Sequence, residues 1–143
     1  MGPEKKFWQQ LKVKTPNVNW TRIESWSSPG VPDLFGVFWD SAAKCGVQFW
    51  IELKCNKLQK VIISPKQIAW HYAHTKLGGK SFIFTKISDP YACHGSIWII
   101  PGDMIRELSD HGLGLLDQGK GHLVPEPWNE DEILKYLKLQ PPV

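Results

Sequence analysis

Apolar and polar positions along the chain change period several times, and each change marks an element. Residues 4–14 (Glu-Lys-Lys-Phe-Trp-Gln-Gln-Leu-Lys-Val-Lys) put Phe7, Trp8 and Leu11 on one side of a short helix, which Pro16-Asn17 ends. Residues 18–24 alternate as a strand does, and Ser27-Ser28-Pro29-Gly30-Val31-Pro32 reads as a turn-rich loop. Residues 33–39 and 46–54 are two further strands around a turn at 40–44, so a hairpin is expected. Ser64-Pro65-Lys66-Gln67 opens a helix that runs to Leu77. Ser64 is placed to cap it, Pro65 suits the first helical position, Gln67 completes a capping box, and Gly78-Gly79 stops it. Residues 80–86 and 96–100 are two more strands, and Pro101-Gly102-Asp103 opens a helix to about Leu108. Residues 110–127 carry four glycines and two prolines and are expected to be loop; Asn129 or Glu130 starts a last helix to Leu139.

The 143 residues suit one globular domain, and no repeat or boundary divides them. Hydrophobic residues at 42% and charged residues at 22% argue against disorder and against a fibrous repeat. The longest clear apolar run, Ile97-Trp98-Ile99-Ile100, is strand-sized and far short of the ~18 residues of a membrane span. Met1-Gly2-Pro3-Glu4-Lys5-Lys6 has no apolar signal-peptide core, and Lys6 stands where a myristoylation signal needs Ser or Thr. Cys45, Cys55 and Cys93 form no C-x-x-C pair. Reduced thiols and a cytoplasmic location are therefore expected, without a membrane.

Charge is split along the chain. Residues 1–90 hold 13 Lys+Arg against 6 Asp+Glu, while residues 91–143 hold 4 against 8. A basic half on a small domain fits a polyanion such as nucleic acid, although a solvated lysine surface has the same composition. Only Arg22 and Arg106 are arginines, so a DNA partner would be gripped by backbone and shape more than by forked base contacts.

The segment 32–54 carries the candidate chemistry. On a strand Glu52 and Lys54 share one face with Gln48 and Trp50, leaving Phe49, Ile51 and Leu53 for the core. Antiparallel pairing brings the start of one strand to the end of the next, so Asp33 is expected beside Glu52. Two adjacent carboxylates repel unless a cation sits between them, and Mg²⁺ or Mn²⁺ is the hard cation that oxygen ligands select. The backbone carbonyl of Leu53 is a further candidate ligand. A lysine alongside would orient water or stabilise charge on a phosphoryl oxygen, which suits phosphodiester hydrolysis. Glu-x-Lys on a strand is by itself more often a surface ion pair.

Pro32-Asp33 with Glu52-Leu53-Lys54 resembles the PD-(D/E)XK nuclease motif. Adding Arg22-Ile23-Glu24, Pro29-Gly30-Val31-Pro32-Asp33, Trp50-Ile51-Glu52-Leu53-Lys54 and Ser64-Pro65-Lys66-Gln67, the chain is similar to the virus-type replication-repair nuclease (VRR-NUC) branch, in its small stand-alone phage-like form. The resemblance covers roughly residues 20–85 and leaves 101–143 as an extension without a recognised role. It implies an α/β fold with a restriction-endonuclease-like core, a central mixed β-sheet flanked by helices. It implies that Asp33 and Glu52 are metal ligands, that Lys54 is the catalytic lysine, and that Gln67 is an active-site glutamine. An upstream acid is also implied; Glu24 is favoured over Glu4. The implied activity is a Mg²⁺-dependent, structure-selective DNA endonuclease acting as a homodimer on branched DNA such as a Holliday junction, in the host cytoplasm if of phage origin. A non-catalytic DNA-binding protein of the same fold, or a site-specific restriction-type nuclease, are the rivals.

Arg22, Lys57, Lys60 and Lys66 are candidate DNA contacts, though each is equally placed to be solvated or ion-paired. Gln67 at the third helical position is also where a residue merely caps. His71 and His74 with Cys93-His94 lack zinc spacing. Gly114 to Gly121 nearly copies a phosphate loop, but Gly121 replaces the Ser/Thr and Pro125 and Pro127 bar the helix. Of the eight tryptophans, Trp26 and Trp39 lie near loops, where they are placed to stack on bases.

Overall fold

In the computed structural model, residues 2–23, 29–56, 60–88 and 95–139 are described. Helix α1 (Pro3–Lys14) is followed by β1 (Asn19–Arg22), β2 (Leu34–Asp40) and β3 (Cys45–Asn56). Helix α2 (Pro65–Lys76), β4 (Ser81–Ile87) and β5 (Ile97–Pro101) come next. A 3₁₀ turn (Gly102–Met104) leads into α3 (Ile105–His111), then α4 (Gly114–Asp117), β6 (His122–Val124) and α5 (Glu130–Leu139).

The six strands form one sheet in chain order, β1-β2-β3-β4-β5-β6. Every neighbouring pair is antiparallel except β3 with β4, which is parallel. Short turns suffice for antiparallel neighbours, whereas a parallel pair needs a crossover, and α2 supplies it. The expected hairpin is present, with Leu34 opposite Ile51 and Asp40 opposite Cys45.

Both faces of the sheet are buried at its centre, which is why Phe82–Phe84 of β4 and Ile97–Ile100 of β5 read as continuous apolar runs. One face packs Phe49, Ile51, Leu53, Phe82, Phe84, Ile97 and Ile99 against Phe7 and Leu11 of α1 and Ile133 and Leu137 of α5. The opposite face packs Ile83, Ile87, Trp98 and Ile100 under α2, α3 and α4, with Ile105, Leu108 and Leu115. Phe7 and Leu11 are fully buried while Trp8 is only half so, in accord with the helix face read from the sequence.

Two expectations need correction. Residues 110–127 are not all loop: they hold α4 and β6, and β6 pairs with β5 (Ile97 with Val124). Gly121 belongs to that packing, since with φ +75° a Cβ there would lie 2.6 Å from the Ile99 carbonyl oxygen. The helix after Pro101 starts as a 3₁₀ turn and reaches His111, three residues beyond the expected end. The described part of the C-terminal stretch, 101–139, without a recognised motif, thus adds β6 to the sheet and Val124, Trp128, Ile133 and Leu137 to one core. No described helix is long and apolar enough to cross a membrane.

Candidate active site

Three sequence segments meet at the end of the β2–β3 hairpin. Asp33 stands just before β2, where Ile23 N–H donates to its carbonyl at 2.7 Å and so ties it to the end of β1. Its side chain reaches across to β3: Asp33 Oδ2 accepts the Leu53 N–H at 2.8 Å. The pairing of β2 with β3 ends at Leu34–Ile51, so Asp33 takes over the ladder bond that a longer β2 would have made. Glu52 follows on β3, only 4% exposed, and its carboxyl is in hydrogen-bonding contact with that of Asp33.

This acid pair is electrostatically costly. Burial pushes the Glu52 pKa far above the usual carboxylate range, and the Asp33 charge and hydrogen bond push it further; Lys54 pulls it down. Glu52 Oε1 has no hydrogen-bond partner. A buried, unpaired carboxylate oxygen beside a second carboxylate is the environment that a hard cation would satisfy. Among the described residues no three Asp, Glu, His or Cys side chains converge to form a complete cage, so protein carboxylates alone would leave positions for carbonyl oxygen and water.

Lys54 lies on the same strand face as Glu52, and its Nζ donates to Gln67 Oε1 at 3.2 Å. Gln67 caps as well. Its Oε1 accepts the Ser64 N–H at 2.9 Å, and its own N–H donates to Ser64 Oγ at 3.1 Å, completing the capping box of α2. The two readings of Gln67 are therefore compatible: capping locks the side chain in the orientation that holds the lysine.

The loop before Asp33 is pressed onto that same helix start. Gly30 has φ +91°, and a Cβ there would lie 2.5 Å from the Lys66 carbonyl oxygen. Only glycine fits both the left-handed backbone and the close approach. The Pro-Gly-Val-Pro-Asp and Ser-Pro-Lys-Gln segments are thus physically docked, which no spacing in the sequence reveals.

The structure describes only one of the two candidate upstream acids. Glu24 lies outside the described residues, whereas Glu4, in the first turn of α1, joins the cluster. Its pKa is raised by partial burial and then by Asp33, and is lowered by Lys54 and Arg22. An acid in a first helical turn already has a capping explanation, so its pattern carried no signal for this role. Arg22 is exposed within electrostatic reach of Glu4. Lys60 lines a cleft of about 530 Å³ with Glu4 and Lys54, and Lys66 is exposed on the first turn of α2; Lys57 lies outside the described residues.

Among the described residues no three His, Cys, Asp or Glu side chains gather around His71 and His74. His71 is fully buried with Nδ1 2.7 Å from Ser81 Oγ, and burial lowers its pKa to about 4. His74 stacks on Trp70 at 4.6 Å between centroids. Cys45 and Cys55 are free thiols; Cys93 and His94, like Trp26, lie outside the described residues.

A six-stranded mixed sheet between two helical layers defines the class: the fold is α/β with a restriction-endonuclease-like core. Among solved structures the chain is similar to Archaeoglobus fulgidus Hjc, a Holliday junction resolvase from an archaeal hyperthermophile. The TM-score is 0.50 at 16% identity, over 72% of this chain and 75% of that one. No protein-family model matches the chain, and no curated protein matches it.

Proposed function

We propose that the protein is a metal-dependent endodeoxyribonuclease of the PD-(D/E)XK type, in its virus-type replication-repair branch, and that it hydrolyses branched DNA, four-way junctions included. The observation that carries this reading is the contact of Asp33 with buried Glu52, with Lys54 on the same strand face. The likeness of fold to a Holliday junction resolvase supports the choice of substrate.

Asp33 and Glu52 are the residues that would hold Mg²⁺ or Mn²⁺. Because the N–H and C=O of one strand residue point to the same side, the Leu53 carbonyl faces the Asp33 side and is the third candidate. When bound, such an ion supplies Lewis-acid polarisation of a phosphoryl oxygen and an acidified water. Lys54, held by Gln67, presents a fixed ammonium to a developing phosphoryl charge or to the attacking water. Glu4 keeps the rim of the site negative and attracts a cation. Arg22, Lys60 and Lys66, all exposed, are the proposed phosphate contacts. Symmetric cutting of a junction needs two sites on a two-fold axis, so the active form is proposed to be a homodimer; light scattering showing a monomer at micromolar concentration overturns that part.

The test is incubation with a labelled four-way junction and Mg²⁺ or Mn²⁺. Cleavage that disappears in Asp33→Ala and Lys54→Ala is expected. No cutting of branched, nicked or linear DNA, or full activity in both variants, overturns the reading in favour of a non-catalytic DNA-binding protein.

A further inference from the structure

The sheet face that carries Glu52 and Lys54 continues away from them as an aromatic strip. Trp50 lies two residues before Glu52 on that face, and Phe35 is directly opposite Trp50 on β2. Their rings are 4.9 Å apart, and Trp50 contacts Trp70 of α2 at 5.5 Å. His74, stacked on Trp70, closes the side of the strip. These rings are only half-buried, and Trp39 beyond them on β2 is 66% exposed. Here a cleft of about 520 Å³ opens, with Phe35, Trp50 and His74 in its wall, Gly79 at its back, and Lys80 and Lys138 beside it.

The surroundings select the occupant. Lys80 Nζ is anchored on the Leu137 carbonyl at 3.0 Å, and Lys138 Nζ lies 3.4 Å from Asp40, which also lines the cleft. A Cβ at Gly79 would be 2.2 Å from His74 Nε2, so glycine there lets the imidazole lie against the wall. An aromatic-walled concavity of this size, edged with cations, suits a flat ring carrying a phosphate. Trp50 and Glu52 are about 7 Å apart along the strand, roughly two nucleotide steps.

Resting on the nuclease reading above, we propose that this cleft receives an unpaired base of the DNA substrate, one or two nucleotides from the phosphate at the acids. Stacking on Phe35 and Trp50 then lets the enzyme distinguish DNA with splayed or unpaired nucleotides from continuous duplex, without reading sequence.

Binding in EDTA separates this proposal from the cleavage chemistry. The probes are a splayed duplex with 2-aminopurine as its first unpaired nucleotide, and the same strand fully paired. Wild-type protein is expected to quench the 2-aminopurine fluorescence of the splayed probe. Phe35→Leu, which keeps apolar volume but removes the ring face, should weaken splayed-duplex binding about tenfold, abolish quenching and leave paired-duplex affinity within about twofold. His74→Gln, on the opposite wall, should act in the same direction and serves if Phe35→Leu does not fold. Absent quenching in the wild type overturns the proposal even if the enzyme cuts DNA. Equal loss on both probes, or none on either, overturns it too. So does Phe35→Leu dissociating a dimer while quenching persists, which assigns the cleft to a second copy of the chain. Quenching by a wild type that cuts nothing leaves the cleft assignment standing and removes only the nuclease reading.

Discussion

Gln67 Oε1 lies 3.2 Å from Lys54 Nζ while also accepting the Ser64 N–H that opens α2. One oxygen thus couples the cap of the crossover helix to the proposed catalytic lysine. Ser64→Ala and Gln67→Ala each remove part of the capping box and should each cost about 1 kcal/mol in thermal or urea unfolding. Only Gln67→Ala also releases the ammonium, and its cleavage rate should fall about tenfold or more below that of Ser64→Ala. Equal rates in the two variants would reduce Gln67 to a cap.

The acid pair makes a prediction about pH. With its pKa raised in the folded state, Glu52 binds a proton there that the unfolded chain has released above its ordinary value of 4.5. Stability of the metal-free protein should therefore fall as pH rises from that value towards the raised one. Buried His71, lowered from 6.5 to about 4, acts in the opposite direction below 6.5, where its neutral form favours folding and is lost as pH falls. The Glu52 effect should stand out between about pH 6.5 and 8, should vanish in Glu52→Gln, and should reverse with millimolar Mg²⁺. Melting temperatures with and without the ion read it directly; an unchanged slope in Glu52→Gln would refute the assignment.

Gly30 offers a test of the docking between the loop and α2. Gly30→Ala must adopt φ +91° and displace a backbone carbonyl 2.5 Å away, so it should cost at least about 1–2 kcal/mol. Because the same loop delivers Asp33, cleavage should decline more than stability alone accounts for, as measured at a temperature where the variant remains folded. Retained activity at reduced stability would show that Asp33 is held by β3 alone.

Glu4 distinguishes the two upstream acids. Glu4→Gln removes negative charge from the site and should raise the Mg²⁺ concentration for half-maximal cleavage several-fold, with little change in folding because the partly buried side chain keeps solvent contact. Glu24→Gln serves as the comparison; a larger shift there would return the role to Glu24.

Packing gives the last prediction. Phe7 is fully buried against Trp128, with ring centroids 5.7 Å apart. Phe7→Ala should cost about 3–5 kcal/mol, and it should loosen α1, which carries Glu4. Gln9→Ala on the exposed face of the same helix is the control and should change stability by less than about 0.5 kcal/mol.

Local pattern alone determined much of this protein. Alternation placed Glu52 and Lys54 on one strand face, a short turn made the hairpin that brings Asp33 to Glu52, and Ser-Pro-Lys-Gln specified the start of α2. These are decided over a few residues by side-chain period and capping, so they are legible without the fold. Tertiary structure decided the rest. Helix α4 and strand β6 exist because β5 offers a free edge to a segment too short and glycine-rich to announce itself. Gly30 meets Lys66, Glu4 reaches the acids, and Phe35 and Trp50 face an open cleft only once α1, α2 and the sheet are packed. Contacts between segments far apart in the chain depend on how the layers stack, and no local periodicity encodes that.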